Sequence, residues 1–332
     1  MKYYIIAFVI IVAGLIWVFT LPASDDLVVY SGRSKALVDP MIREFQEQTG
    51  ISVNVRYGGT TQLAVALMEE GARSPADLFW AQDAGALGAV EKEGLLSALP
   101  DALLEPVPAR FRNQSGTWLA TSGRARVLAY STTRGEADAI KDLADLAKPE
   151  FSGRVGWAPS NGSFQAFVTA MQIVHGDDYT RDWLLAVKNN NARIYNNNTG
   201  ILQAIAAGEI DYGLTNHYYL LRALQEDPAF PVAQKFFGPG DVGNLINVAG
   251  IGILNTSNRK DDALRFVEFL ISQDAQDWFT GEVFEYPVTS ADTGSESHRQ
   301  LEQLLEVSPD VDLDALSNLE STLRLLREVA LL

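Results

Sequence analysis

The chain contains no cysteine, which removes disulfides, thiolate metal sites, iron–sulfur clusters, cysteine nucleophiles and a lipid-modified N-terminal Cys together. It is also poor in histidine. His175, His217 and His298 lie far apart, an arrangement unsuited to a histidine-rich zinc site. Basic residues are outnumbered, 26 Lys and Arg against 42 Asp and Glu, for a formal net charge of −16. So acidic a chain offers no basic face to a phosphate backbone, and nucleic acid is not an expected partner. After Leu21 no apolar run is long enough to cross a bilayer. The G-x-S-x-G, H-E-x-x-H and dinucleotide-binding patterns are absent, and Gly238-Pro-Gly-Asp-Val-Gly243 lacks the Lys-Ser/Thr ending of a phosphate loop. No catalytic constellation emerges, and the expectation is a protein that is not an enzyme.

What remains is an ordinary globular composition, 47% hydrophobic over 332 residues, enough for about two domains. Residues 1–23 stand apart: Lys2 precedes an apolar run from Tyr3 to Leu21, and Pro22-Ala23-Ser24-Asp25-Asp26 turns polar. This reads as a secretory signal or an uncleaved N-terminal anchor, since the run exceeds the usual apolar core of a leader and approaches a membrane span. Either way the body is expected to be exported, in the periplasm or tethered at the outer face of the cytoplasmic membrane.

From Leu27 onward the pattern is strand, polar turn, helix. Leu27–Tyr30, Ser52–Tyr57, Ala76–Trp80, Arg126–Tyr130, Gly153–Trp157, Ala192–Tyr195, Glu209–Leu214 and Val248–Leu254 read as strands, most of them followed by helical apolar spacing. The alternation predicts an α/β fold with a largely parallel sheet. Gly238-Pro239-Gly240-Asp241 is the expected crossing between lobes. Small polar residues close six of the strands and open helices. In open α/β sheets such strand ends carry the ligand, because helix N-termini present unpaired N–H groups and positive dipole ends.

The sharpest local feature is Thr215-Asn216-His217-Tyr218-Tyr219. Asn216 is a suitable N-cap, which places both tyrosines in a first helical turn about 100° apart. The positive helix end favours phenolates there, and paired phenolates are hard donors for a cation such as Fe(III). Aromatic packing is the commoner use of such a pair, and spacing alone leaves both open. Asn161, Gly162, Ser163 and Asn198 stand at turns able to hold an anion through backbone N–H groups, although turns require Asn and Gly in any case. Arg33, Arg124 and Arg126 are the candidate cationic clamps. Trp80 and Trp157 stand near strand ends, where core packing competes with a place in the cleft.

From Leu27 to about Val288 the chain resembles the periplasmic ferric-ion-binding proteins of bacterial ABC importers. The resemblance rests on Val29-Tyr30-Ser31-Gly32, Arg73-Ser74-Pro75-Ala76-Asp77-Leu78-Phe79, Ser122-Gly123-Arg124-Ala125-Arg126, Gly208-Glu209-Ile210-Asp211, Asn216-His217-Tyr218-Tyr219 and Glu285-Tyr286-Pro287. It implies a two-lobed periplasmic-binding-protein fold of type II, with hinge-linked lobes closing on a ligand. The expected division is residues 26–124 with 248–295 in lobe 1, and 125–247 with 296–332 in lobe 2. It implies Tyr218 and Tyr219 as iron ligands and an anion held around Asn161–Ser163, Asn198 and Asn216; Arg124, in the matched Ser-Gly-Arg run, and Arg33, in the first cleft loop, are the anion's candidate cationic partners. Some members complete the site with a His and a Glu; the matching cleft positions here are Ser34 and Gln82, with Asp83 beside them. Others add a tyrosine where this chain has Phe164. Two strong protein ligands therefore remain, and carbonate or phosphate is the expected synergistic anion. The implied partners are an importer permease and ATPase, with the protein a monomer. The rival within the same fold is metal-free capture of a small anion such as a phosphonate; an exported hydrolase is the rival from another class.

Overall fold

The computed structural model describes residues 25–289 and 296–332. Residues 1–23, read as signal or anchor, lie outside the described residues. Among the described residues no helix is long and apolar enough to cross a membrane.

The first part of the chain alternates strictly: β1 Leu27–Ser31, α1 Lys35–Thr49, β2 Val53–Tyr57, α2 Thr60–Glu70, β3 Leu78–Ala81, α3 Ala84–Lys92 and the single turn α4 Asp101–Leu104. In α1 the spacing of Leu37, Val38, Met41, Ile42 and Phe45 puts one apolar face into the core. The helix stops at Gly50, whose φ of 72° lets its N–H turn back to Gln46 O. The long strand β4 Trp118–Ser131 follows, then β5 Val155–Trp157, α5 Gly162–His175, α6 Asp177–Asn189, β6 Arg193–Ile194 and α7 Asn198–Ala207. After them come β7 Tyr212–Asn216, α8 His217–Glu226, β8 Val232–Lys235, β9 Ile246–Ile253, α9 Lys260–Leu270 and α10 Gln273–Gly281. The tail adds α11 Glu296–Val307 and α12 Leu319–Glu328.

The strand order is β2-β1-β3-β9-β4-β7-β5-β6, with β8 also paired to β4. The outer pairs are parallel, as the alternation predicted. The centre is antiparallel: β9 pairs with β3 and with Trp118–Ala125 of β4, whereas Arg126–Tyr130 pair with β7. The chain therefore passes between half-sheets along β4 and β9, not at Gly238–Asp241. That Pro/Gly segment is a turn pinned to Lys141 and Val307 carbonyls. The polar stretch Thr121–Arg126 inside β4 breaks the apolar pattern of the strand. Its Thr121 is fully buried and satisfied, accepting from Trp80 Nε1 at 3.0 Å.

Trp80 and Trp157 are both wholly buried in the core; Trp80 packs edge-on against Phe266 and Phe279, and Trp157 against Phe164 and Trp183. The tail touches both half-sheets. Residues Leu313–Ser317 lie on α3, while α12 packs on α5 through a 2.6 Å hydrogen bond between Thr322 and Thr169.

Candidate functional site

The site forms where strand ends from both halves meet. β7 ends at Asn216 and α8 begins at once, so Tyr218 and Tyr219 do fall in its first turn. Their rings stack with centroids 4.3 Å apart and planes 28° from parallel. Tyr218 is fully buried and Tyr219 half-buried. Burial, reinforced by neighbouring Tyr219 and Glu285, pushes the Tyr218 phenol well above its ordinary value. Burial thus works against the phenolate that the helix end is expected to favour. A phenolate here needs a cation to displace its proton.

Asn216 stands at the N-cap position but makes no capping bond. Its Oδ1 instead accepts from Arg126 Nη1 and its Nδ2 donates to Ser163 Oγ, both at 3.3 Å. Arg126 lies over the Phe167 and Phe164 rings, 5.4 and 6.0 Å from their centroids, and its Nη2 has no partner. Arg124, 1% exposed, has no partner for any of its three guanidinium nitrogens. Burial lowers both arginines, and with Arg124 as like-charged neighbour Arg126 falls to about 9. Two desolvated guanidiniums side by side are costly without a counter-anion.

Arg33, expected to hold an anion, is already occupied. Glu285 takes its Nη1 and Nη2 in a bidentate pair at 2.8 Å each, with both side chains buried. Ser122 Oγ also donates to Glu285. Burial alone would raise the Glu285 carboxyl, but Arg33 and Ser122 hold it below its usual range. Glu285 is the site residue that sequence reasoning left unassigned. Its only signal was the Glu285-Tyr286-Pro287 landmark, 252 residues from its partner.

The remaining candidates divide. Asn161 caps α5, accepting from Ser163 N at 3.1 Å, so that N–H is not free for an anion. Gly162 approaches the opposite half so closely that a Cβ would stand 2.8 Å from Asp83 Oδ2. Asp83 caps α3 through Oδ1 on Ala86 N, while its buried Oδ2 has no partner. Burial raises Asp83 to about 6, against the opposing pull of Arg124. Gln82 sends Nε2 to Tyr218 Oη at 2.8 Å. Asn198 is buried with Nδ2 unpartnered, α7 being capped instead by Asn197. Ser34 is exposed at the start of α1 and does not join the buried cluster. A cavity of about 190 Å³ opens beside these groups, with Gly32, Thr60 and Gln82 on one side and Ser160, Asn161 and Gly162 on the other.

Among the described residues there is no cluster of three His, Asp or Glu able to hold a metal.

Residues 27–284 match the model of the family described as bacterial extracellular solute-binding protein. The chain belongs to this family. This solute-binding protein is 31% identical over 315 residues to the Fe(3+)-binding periplasmic protein of Serratia marcescens, covering 93% of this chain and 92% of the relative. Its fold is the two-lobed α/β architecture of periplasmic binding proteins. The crystal structure of iron-bound HitA from Pseudomonas aeruginosa superposes with a TM-score of 0.85 at 32% identity, over 92% of this chain and 99% of that one. Trichodesmium IdiA (FutA), solved with iron and citrate ligands, superposes with a TM-score of 0.75 at 28% identity, covering 92% and 99%.

Proposed function

We propose that this solute-binding protein captures Fe(III) in the cleft between its lobes, bound by Tyr218 and Tyr219 together with a synergistic anion, and delivers it to the permease and ATPase of an ABC importer. The observation that carries the reading is the stacked tyrosine pair facing Arg124 and Arg126, two buried guanidiniums with unpartnered nitrogens. Charge balance names the anion class. Two phenolates and Asp83 offset three of the five positive charges brought by Fe(III), Arg124 and Arg126, so a dianion such as carbonate or hydrogen phosphate neutralises the rest. The iron named in the relatives' descriptions supports the cargo, and the citrate in one of them supports an exogenous oxyanion.

The protein works by lobe closure without covalent chemistry. Lobe 1 comprises residues 26–124 and 248–295, and lobe 2 residues 125–247 and 296–332, with β4 and β9 as the crossing strands. It acts in the periplasm, as its relatives' descriptions suggest, and as a monomer.

The test is the colour and metal content of protein purified from iron-containing medium. A tyrosinate–Fe(III) charge-transfer band is expected, and the double replacement Tyr218→Phe with Tyr219→Phe should abolish it while the rings still pack. Stoichiometric iron in the double variant would refute the assignment. Titration in anion-depleted buffer should show weak binding that carbonate or phosphate restores. The second reading, metal-free capture of a small oxyanion, draws on the same two guanidiniums. It predicts calorimetric binding of phosphate in chelator-treated buffer and no coloured complex.

A further inference from the structure

Gln82 and Tyr218 stand on opposite sides of the cleft. Gln82 follows β3 in the first half-sheet, and Tyr218 lies in the first turn of α8 in the second. Their hydrogen bond, Nε2 to Oη at 2.8 Å, joins residues 136 positions apart and is buried at both ends. The backbone that carries it is pinned: the Gln82 main-chain N–H donates to Thr60 Oγ1 at 3.2 Å, and Thr60 Oγ1 donates to Gly32 O at 3.3 Å. A second bond also crosses the cleft, from Thr61 Oγ1 to Gln165 Oε1 at 2.5 Å, but it touches neither tyrosine.

From this geometry we infer that Gln82 is the positioning residue for the metal-bound phenolate: it orients Tyr218 from the opposite lobe and donates an N–H to its oxygen. The inference rests on the Fe(III) reading above and adds to it the group that tunes the ligand. A carboxylate in this place would accept only, and it would repel a phenolate that it did not share with a cation. An amide carries no charge and has both a donor and an acceptor at its tip. Its Nε2 donates to the phenol oxygen and can donate in the same way to the phenolate of the loaded cleft. A donor on a phenolate oxygen is a charge-assisted bond, stronger than a neutral one. It draws electron density from the oxygen and so moves the phenolate-to-iron charge-transfer band to higher energy. It also couples lobe closure to the state of the ligand.

The experiment compares the iron-loaded wild-type protein with Gln82→Met, which keeps length and removes the donor, and with Thr61→Val, which removes the bond from Thr61 to Gln165 across the cleft. Gln82→Met should shift the charge-transfer band to longer wavelength and release iron to a competing chelator on the order of tenfold faster. Thr61→Val should speed release without moving the band, which separates phenolate tuning from loss of closure. Should Gln82→Met not fold, the wild-type complex supplies the measurement: its phenolate C–O stretch in resonance Raman spectra should shift on exchange into D₂O. An unmoved band in folded Gln82→Met, an equal band shift in Thr61→Val, or a D₂O-insensitive stretch would overturn the inference. Absence of any charge-transfer band in the wild type would instead sink the Fe(III) reading itself.

Discussion

Asp83 has one carboxylate oxygen on Ala86 N–H and the other buried without a partner, and this fixes its effect on stability. Its carboxyl is raised from 3.8 to about 6 by burial, despite Arg124 nearby. A raised acid contributes stability that is fully present below the unfolded value of 3.8 and is lost as pH rises through 6. Ionised Asp83 should therefore cost the ligand-free protein about 3 kcal/mol at neutral pH. Asp83→Asn retains the capping oxygen and removes the charge. It should raise neutral-pH stability by about 1–3 kcal/mol, with the gain vanishing in acid, as denaturant unfolding across pH would record. A less stable Asn variant at neutral pH would contradict this. His217 runs the other way. Its imidazole, lowered by burial from 6.5 to about 4, contributes stability present above 6.5 and lost as pH falls through 4. Single residues here take their chemistry from how deeply they are covered: burial raises the Tyr218 phenol and, with Arg124 beside it, lowers Arg126 to about 9.

At the scale of elements, the site depends on how closely the start of α5 approaches the loop between β3 and α3. Gly162 meets Asp83 Oδ2 where a methyl would stand at 2.8 Å. Its φ lies outside the left-handed region, so α5 itself tolerates a side chain. Gly162→Ala should accordingly leave the fold and melting behaviour nearly unchanged while holding the two halves apart. Iron affinity should fall by about tenfold, and the radius of gyration of the loaded protein should exceed that of wild type. An unaltered affinity would show that Asp83 swings aside at no cost. The same apposition accounts for the division among the anion candidates. Asn161 is engaged in capping at the α5 entrance, whereas Arg124 and Arg126 keep buried nitrogens without a partner.

The whole molecule is tied together by its tail. Gly85 and Gly88 on α3 let residues 313–317 lie directly on the helix: added Cβ atoms would stand 2.7 Å from Leu316 O and 2.5 Å from Ser317 Cβ. Asp314 accepts from Asn113 Nδ2 at 3.0 Å, and farther on Lys188 Nζ reaches Val329 O at 2.7 Å. One segment thus anchors on helices that flank the cleft from both halves. Gly88→Val should push the tail from α3, lower stability by about 2 kcal/mol and leave the charge-transfer band in place. Thermal unfolding beside the visible spectrum is the check, and a shifted band would mean that the tail reaches the site.

The absence of thiol chemistry, the strand–helix alternation, the paired tyrosines at the start of a helix and the arginines of Ser122–Arg126 were all legible in the order of residues. These are local signals, carried by residue type and by periods of two or 3.6 within a few turns of chain. That β4 and β9 form the crossing emerges only in three dimensions, because the polar Thr121–Arg126 stretch inside β4 breaks the apolar pattern, and its Thr121 is satisfied by Trp80 from elsewhere. The fold also assigns Arg33 to Glu285 and Gln82 to Tyr218, pairs separated by 252 and 136 residues. β8 escaped notice for a related reason, since only Val232 of its four residues is fully buried. Partner choice and protonation are set by what the fold packs against a side chain, and no local pattern encodes that burial.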